Sequence, residues 1–193
     1  NPIIPGTASM TIPSGTTAQR DTPTNGQMRY NTTLGIAEMS NAGVYRPFGK
    51  VAQFITGNIA QTTGTTILPY DATLPTSTEG FQIWTASITP YYANSTIIIM
   101  YNIFYECSAN NVVVTTTLLN DTTAIAASSS RQATSGQPDT VNVTKAFTSG
   151  TTSTITLSAR IGPAAASTVY VNRGNTETFG GTIATSYIIM EVY

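Results

Sequence analysis

Carboxylates are the side chains of this sequence that come nearest to a catalytic set, and their spacing pairs none of them. Asp71, Glu79, Asp121, Asp139 and Glu177 are spread among turn-rich segments. A glycosidase needs two carboxyl groups that face one cleft, and nothing in the sequence predicts such a pair. The chain contains no His, which excludes Ser-His-Asp and Cys-His nucleophiles, His general bases and His metal sites. We therefore expect a protein that is not an enzyme.

Cofactor-binding patterns are equally sparse. Cys107 is the single cysteine, so no disulfide forms within the chain, and its apolar neighbours favour a small buried hydrophobe. The sequence has neither a Walker-type phosphate loop nor a dinucleotide-binding Gly pattern. We therefore expect no cofactor. One alternative remains: the acidic and amide-rich loops could supply oxygen ligands to Ca²⁺, although their spacing is not that of an EF-hand.

Charge excludes two further classes of partner. The formal net charge is −1, and the 8 Lys and Arg residues are scattered, so no basic stripe or polybasic patch exists for phosphates or anionic lipids. The longest apolar run, Ile97 to Tyr101, is far shorter than the roughly 20 residues that span a bilayer. We expect neither nucleic-acid binding nor membrane insertion.

Composition favours strands over helices. Thr accounts for roughly a fifth of the residues, against a much lower average usage, and β-branched side chains suit a pleated surface better than a helix. With 40% hydrophobic and only 9% charged residues, the chain should fold rather than remain disordered. Apolar runs bounded by turn residues predict strands in the main part of the chain near 51–58, 65–68, 81–89, 95–106, 111–119, 122–128, 140–148, 152–161, 168–172 and 181–192,.

The distribution of Gly and Pro residues divides the chain into two predicted parts. Residues 1–49 form a short extended β module with too few large apolar residues to be stable alone,. In that module we expect short strands at 8–12, 27–31, 36–40 and 44–48. Residues 50–193 form an antiparallel β-sandwich of the jelly-roll type, because closely spaced strands of this kind pack in two sheets that hide their edges. We expect a two-residue hairpin turn at Asn120-Asp121.

Alternation along the strands predicts an oligomer. In 152–161, Thr154, Thr156, Ser158 and Arg160 make one wet face. The strand from 95 to 106 and the last strand are instead apolar on both faces, whereas a sandwich core covers only one face. A subunit interface is the simplest cover, and cover by the N-terminal module or a loop is the alternative. The residues assigned to this interface are Ile97, Ile99, Tyr101, Phe104, Tyr187 and Ile189.

Residues 11–48 resemble a known module. The matching pieces are Thr11–Arg20 (TIPSGTTAQR), Gly26–Thr33 (GQMRYNTT), Glu38 and Val44–Phe48 (VYRPF). They are similar to a short module of bacteriophage tail-fibre and other virion surface proteins, in which Trp often stands near Tyr45. The residues of this sequence that carry the motif are Arg20, Gly26, Arg29, Tyr30 and Asn31.

The resemblance implies a trimeric fibre component whose N-terminal module contacts other virion proteins. Arg20 and Arg29 are charges in a charge-poor module, so we expect them to pair with Asp21 or Glu38, within one chain or between chains. The final segment, Phe179 to Tyr193, resembles the last strand of the trimeric jelly rolls of the tumour-necrosis-factor and C1q type.

Three functions follow as hypotheses. The first is a homotrimeric fibre or knob on the virion surface that attaches to a host-surface glycan or protein, with three sites supplying avidity. The second is a capsid decoration, cement or head-fibre protein docked on the shell, and the third is a cellular C1q-like binding module. Receptor contacts are expected in loops at the ends of the sandwich. The candidates are Asp71, Glu79, Arg131, Asp139, Arg173 and Glu177.

Overall fold

The protein is built almost entirely from β-strands. The computed structural model describes residues 10–49, 51–174 and 183–192. Within these ranges the only helix is a 3-10 turn at Thr17–Gln19. The strands are β1 (Ser14–Gly15), β2 (Met28–Asn31), β3 (Ile36–Asn41), β4 (Val44–Pro47), β5 (Val51–Ile59), β6 (Thr62–Gly64), β7 (Phe81–Ile88), β8 (Thr96–Cys107), β9 (Val112–Asn120), β10 (Thr123–Gln132), β11 (Asp139–Thr148), β12 (Ile155–Pro163), β13 (Val169–Val171) and β14 (Thr185–Val192).

The chain divides into two compact units, Asn1–Ala52 and Gln53–Tyr193. In the first unit β1 to β4 form one sheet in sequence order. Strand β1 runs parallel to β2, while β2, β3 and β4 are joined antiparallel as hairpins. The β3–β4 turn contains Ala42 and Gly43 with φ of 52° and 75°, the left-handed backbone that a tight hairpin requires.

The second unit is a sandwich of two sheets. One sheet has the order β10-β9-β12-β7, and the other has the order β5-β14-β8-β13-β6 with β11 also paired to β8. The chain crosses repeatedly between the sheets, because β7, β9, β10 and β12 belong to the first and β8, β11, β13 and β14 to the second. This is the jelly-roll arrangement, and it confirms the predicted all-β sandwich.

The core lies between the two sheets of the second unit. Ile97 and Ile99 of β8 are fully buried, as are Leu118 of β9 and Leu157 of β12. Each of these side chains faces inward, because successive side chains of a strand point to opposite faces of the sheet. Trp84 of β7 belongs to the same buried cluster.

Most strands lie where the sequence predicts them, and the exceptions have local causes. The strand expected at 65–68 is replaced by β6 at Thr62–Gly64, because the chain leaves the sheet at residue 65 to cross the other sheet. Residues 10–12 of the strand expected at 8–12 are not in a strand, and residues 8 and 9 lie outside the described ranges. The hairpin turn is Asp121-Thr122, one residue later than predicted, with Asp121 at φ 52°.

A long loop, residues 65–80, packs on the outer side of the β10-β9-β12-β7 sheet. Leu68 is fully buried, and its backbone N–H donates to the Pro163 carbonyl at 3.0 Å. The Arg160 guanidinium donates to the carbonyls of Glu79 and Gly80, both at 2.7 Å. The prediction of a wet face on β12 is therefore wrong for Arg160, whose charge serves to fasten the loop. It is also wrong for Ser158, which is 7% exposed.

Gly162 sets how closely this loop approaches the sheet. A Cβ atom at this position would lie 2.6 Å from the Thr66 carbonyl oxygen and 2.9 Å from the Gly80 Cα. Both neighbours are backbone atoms, which cannot move aside as a flexible side chain does. The absence of a side chain at Gly162 is what allows the loop to lie flat on β12.

We expect Gly162→Ala to lower the free energy of unfolding by about 1–3 kcal/mol, because overpacking displaces the loop backbone. Urea unfolding followed by Trp84 fluorescence measures the change. Gly49→Ala is the matched control, since a Cβ there meets no atom within 4 Å. Equal stability of wild type and Gly162→Ala would contradict this account of the loop.

Candidate assembly surface, charge cluster and binding loop

Strand β8 presents apolar side chains on the face opposite the core. Ile98 lies opposite Met190 of β14, and Met100 lies opposite Ile188. Directly opposed residues on neighbouring strands share one face of the sheet, so these side chains are continuous. Phe104 lies farther along the same face of β8. We call Ile98, Met100, Phe104, Ile188 and Met190 the outer apolar strip.

The outer apolar strip is not fully covered by its own chain, since all its members are of intermediate exposure. Phe54 of β5 lies on the same side, because Ile55 and Ile59 pack toward the core and strand residues alternate. Its side chain is 60% exposed. A contiguous exposed apolar patch on a sheet is typical of an interaction surface.

A shallow depression of about 390 Å³ lies beside the strip. Its lining joins Met100 and Ile188 to the polar side chains of Asn102, Asn142 and Ser186. The face thus combines apolar area with uncharged hydrogen-bonding groups, the composition that a protein interface needs at its centre and rim.

Four of the six residues assigned to a subunit interface lie instead in the core of their own chain. Ile97, Ile99 and Ile189 are 0% exposed and Tyr101 is 4% exposed. The fifth, Tyr187, is half-buried and stacks on Trp84 with ring centroids 4.5 Å apart. The register of β8 therefore turns the odd-numbered positions inward. Of the six, only Phe104 lies on the outer face.

The two buried tyrosines of β8 are structural. The Tyr101 hydroxyl shares a hydrogen bond with the Thr116 hydroxyl at 3.2 Å, and burial raises the pKa of the phenol above its ordinary value. Burial likewise raises the pKa of Tyr105, whose hydroxyl donates to Asp139 at 3.2 Å. Both phenols stay neutral at ordinary pH, so neither serves as a general base.

The N-terminal motif residues converge on one buried carboxylate. Glu38 of β3 is 0% exposed, and both of its oxygens are engaged. Arg20 donates through Nε to Glu38 Oε2 at 3.2 Å and also pairs through Nη2 with Oε1. Asn31 Nδ2 donates to Oε1 at 3.1 Å, and Arg29 Nε lies 3.8 Å from Oε2. The predicted pairing of both arginines is with Glu38 and lies within one chain.

Arg29 also fastens the segment before β2. Its Nη1 and Nη2 donate to the carbonyls of Gln19 and Thr16, both at 3.0 Å, and its guanidinium lies 5.7 Å from the Tyr45 ring centroid. The Tyr45 hydroxyl donates to Asp21, and this hydrogen bond is the main reason that the pKa of Tyr45 is raised. We call Arg20, Arg29, Asn31 and Glu38 the charge cluster.

The two other motif residues have different roles. Gly26 adopts φ of 88°, a left-handed conformation that favours glycine, in the turn that precedes β2. Tyr30 is 41% exposed and faces away from the charge cluster. The motif is therefore explained by folding of the module rather than by a chemical reaction.

The receptor-loop candidates do not form one site. Arg131 donates to Asn111 Oδ1 at 3.0 Å, Asp139 accepts from Tyr105 at 3.2 Å, and Arg173 lies 5.9 Å from the Tyr170 ring. Among the described residues no hydrogen bond or ion pair joins any two of the candidates. Glu177 lies outside the described residues. Residues 129–132, which lie between the predicted strands 122–128 and 140–148, are part of β10.

Asp71 is the candidate that lines a depression. The loop from Pro69 to Pro75 and strands β9 and β10 enclose a groove of about 240 Å³. Its lining is Pro69, Tyr70, Asp71, Thr73, Pro75, Thr115, Ala127, Ser128 and Ser129. Tyr70 and Thr115 were not among the candidates predicted from the sequence. For Tyr70, an aromatic residue beside an Asp between Pro69 and Pro75 was a signal that the sequence contained. We call these nine residues the loop groove.

Two searches of the described residues gave negative results. Across 10–49, 51–174 and 183–192, no three His, Cys, Asp or Glu side chains cluster as metal ligands do. None of the helices found there has the length and apolar character to cross a membrane.

We expect Glu38→Gln to destabilise the N-terminal unit by about 3 kcal/mol, because Arg20 and Arg29 lose the carboxylate that offsets their burial. Hydrogen exchange measured by mass spectrometry should speed up in peptides covering 28–47 and stay unchanged in peptides covering 96–107. Arg46→Gln, at an exposed position of β4, is the control and should shift stability by at most about 0.5 kcal/mol. Unchanged protection in Glu38→Gln would show that the charge cluster does not hold the unit.

Solved structures similar to the chain share little of its sequence. The structure of Eiger TNF from S. frugiperda is 10% identical, with a TM-score of 0.43, and the match covers 72% of this chain and 93% of that one. The VP2 subviral particle of infectious bursal disease virus is 11% identical, with a TM-score of 0.38, and the match covers 79% and 40%. The T=1 particles derived from that virus are 11% identical, with a TM-score of 0.40 and coverage of 84% and 46%. The chain thus spans less than half the length of these viral proteins.

The family comparison is more informative. No curated protein matches the chain. Residues 54–193 match the family described as Pgp3 C-terminal domain, a range that takes in nearly all of the jelly-roll unit. This match does not support the bacteriophage origin that the N-terminal resemblance implied, but it supports a β-rich structural or surface protein. The chain belongs to the Pgp3 C-terminal domain family.

Proposed function

We propose that the protein is an external structural protein that works as a homotrimer on the surface of a virion. In this proposal the jelly-roll unit assembles through the outer apolar strip and forms a projecting knob. The N-terminal unit attaches the knob to other proteins of the particle, and the knob contacts the host surface.

The outer apolar strip is the observation that carries the proposal. Ile98, Met100, Ile188 and Met190 are neighbours in the sheet register, and Phe54 adds a largely exposed ring on the same face. Leaving this area in water is unfavourable by roughly 25 cal/mol for each Å². A second and third copy of the same face would cover it in a closed cyclic assembly. The order of three comes from the resemblance of the N-terminal module and the last strand to trimeric proteins.

The N-terminal unit supports a role in attachment because its sheet is polar inside and apolar outside. Arg29, Asn31 and Glu38 of its charge cluster are buried. Met28, Met39 and Arg46 lie in one cross-strand row on the other face. Tyr30 is next to this row, and Met28, Tyr30 and Met39 are 36%, 41% and 40% exposed. Such a face suits contact with another protein better than contact with water.

Host attachment is favoured over a purely cementing role by the loop groove. A cement protein needs only the contacts that hold it to its neighbours. The loop groove is not part of the proposed assembly contact, because it lies on the sheet opposite the outer apolar strip. In a trimer closed through that strip, each of the three grooves would remain open to solvent. Three equivalent sites would raise the overall avidity for a repeated surface ligand.

We expect the purified wild-type chain to have about three times the monomer mass of 20.4 kDa by light scattering,. Met100→Asp should yield folded monomers, because the charge would be buried only in the assembly. These monomers should unfold at a lower temperature than the wild-type trimer, because assembly stabilises the native state. Ile99→Asp is unsuitable as a test, since that side chain is 0% exposed within one chain and the charge would unfold it.

The matched control is Ser87→Asp, at an exposed position of β7 in the other sheet. This variant should keep the wild-type mass. A wild-type chain that is monomeric at all concentrations would overturn the assembly proposal. A Met100→Asp variant that stays trimeric would place the contacts elsewhere on the molecule.

A further inference from the structure

The loop groove combines an exposed ring with many hydroxyl groups. Tyr70 is 65% exposed, so one face of its ring is open to a ligand. Thr73, Thr115, Ser128 and Ser129 add hydroxyl groups from the loop and from both neighbouring strands. Sugars have an apolar ring face of C–H groups and an edge of hydroxyls, and an aromatic face beside short polar side chains complements both.

Asp71 supplies an acceptor whose position is fixed by the loop. Its Oδ1 accepts from the backbone N–H of Thr73 at 2.8 Å and from the Thr73 hydroxyl at 2.7 Å. These bonds hold the pKa of the carboxyl below its ordinary value, so the group is ionised at neutral pH. Its Oδ2 makes no hydrogen bond with the described residues and can accept from sugar hydroxyls.

The Thr115 hydroxyl is a buried polar group in the lining of the groove. The residue is 6% exposed, and its hydroxyl oxygen is buried without a hydrogen-bond partner in the described part of the chain. A buried hydroxyl without a partner is unfavourable, and such groups in proteins are normally bonded to protein, ligand or ordered water. A polar ligand in the groove, or a water that it holds in place, would satisfy this group.

The loop is held in place before any ligand arrives. Leu68 is buried under it, Arg160 is hydrogen-bonded to two of its carbonyls, and the backbone N–H of Thr76 donates to Glu79 Oε2 at 2.7 Å. A preformed wall lowers the entropic cost of binding, which is important for a small polar ligand with weak intrinsic affinity.

The charge of the groove lining determines which saccharides can bind. The lining of the loop groove contains one carboxylate, Asp71, and no Lys or Arg. A sialylated, sulfated or phosphorylated sugar would face like charge without a compensating cation. The volume of about 240 Å³ suits a single sugar ring, such as the terminal residue of a longer chain.

We propose that the loop groove binds a neutral saccharide, with Tyr70 stacked on the sugar ring and Asp71 Oδ2 accepting hydrogen bonds from its hydroxyls. This inference rests on the proposed surface role and names the class of ligand that the knob would recognise.

The test uses the full chain and saturation-transfer-difference NMR with the methyl glycosides of glucose, galactose, mannose and N-acetylglucosamine. At least one glycoside should bind the wild type. Tyr70→Ala should lower its affinity by about tenfold or more, through loss of the stacked ring, and Asp71→Asn should lower it more modestly. N-acetylneuraminic acid, the anionic comparison, should not bind the wild type.

Leu74→Ala is the matched control, because Leu74 is a large side chain of the same loop, 74% exposed, that does not line the groove. It should bind as the wild type does. Absence of binding by every neutral glycoside, or equal binding by Tyr70→Ala, would overturn the inference. Light scattering on the same samples separates the two proposals: a monomer that binds sugar through Tyr70 contradicts only the assembly, and a trimer without sugar binding contradicts only the groove.

Discussion

The structure depends on a single geometric constraint, the period of two along β8. This 12-residue strand is paired with β11, β13 and β14, so it is central to its sheet. Its odd-numbered side chains fill the sandwich core, and its even-numbered side chains must then face outward. Because the strand is apolar at both sets of positions, apolar side chains also lie on its outer face, and these form part of the outer apolar strip.

The N-terminal unit, in contrast, buries very few apolar side chains. Tyr45 is the buried hydrophobic residue among its described positions, and its other buried side chains are Arg29, Asn31, Glu38 and Ser40. An interior of this kind holds together by charge-assisted hydrogen bonds, which are directional and depend on every partner being present. The two units therefore differ in what stabilises them, but each leaves apolar side chains on an outer face.

The loop over the β10-β9-β12-β7 sheet depends on two residues of a single strand. Arg160 and Gly162 are two residues apart on β12, and one anchors the loop while the other leaves room for it. Because the loop is anchored near its end, the segment from Pro69 to Pro75 projects beside β9 and β10 and encloses the loop groove. A structural contact on one strand thus positions a candidate binding surface on its neighbours.

Local chemistry in the sequence was enough to predict most of the strands and the all-β class. Alternation and turn residues act over a few positions, so they are visible without any structure. They also showed that β8 is apolar on both faces, but not which face turns inward, because that depends on the pairing of β8 with β14 and β11. The same limit explains why four interface residues were assigned to the wrong face.

Only the tertiary structure decided which distant residues meet. It selected Glu38 over Asp21 as the partner of both arginines, since the β2–β3 register places Glu38 opposite Arg29. It also brought Tyr70 and Asp71 to Thr115 and Ser129 across more than forty residues of chain. Sequence periodicity specifies the face on which a side chain lies, whereas the neighbour it meets there is set by the packing of sheets and loops from the whole chain.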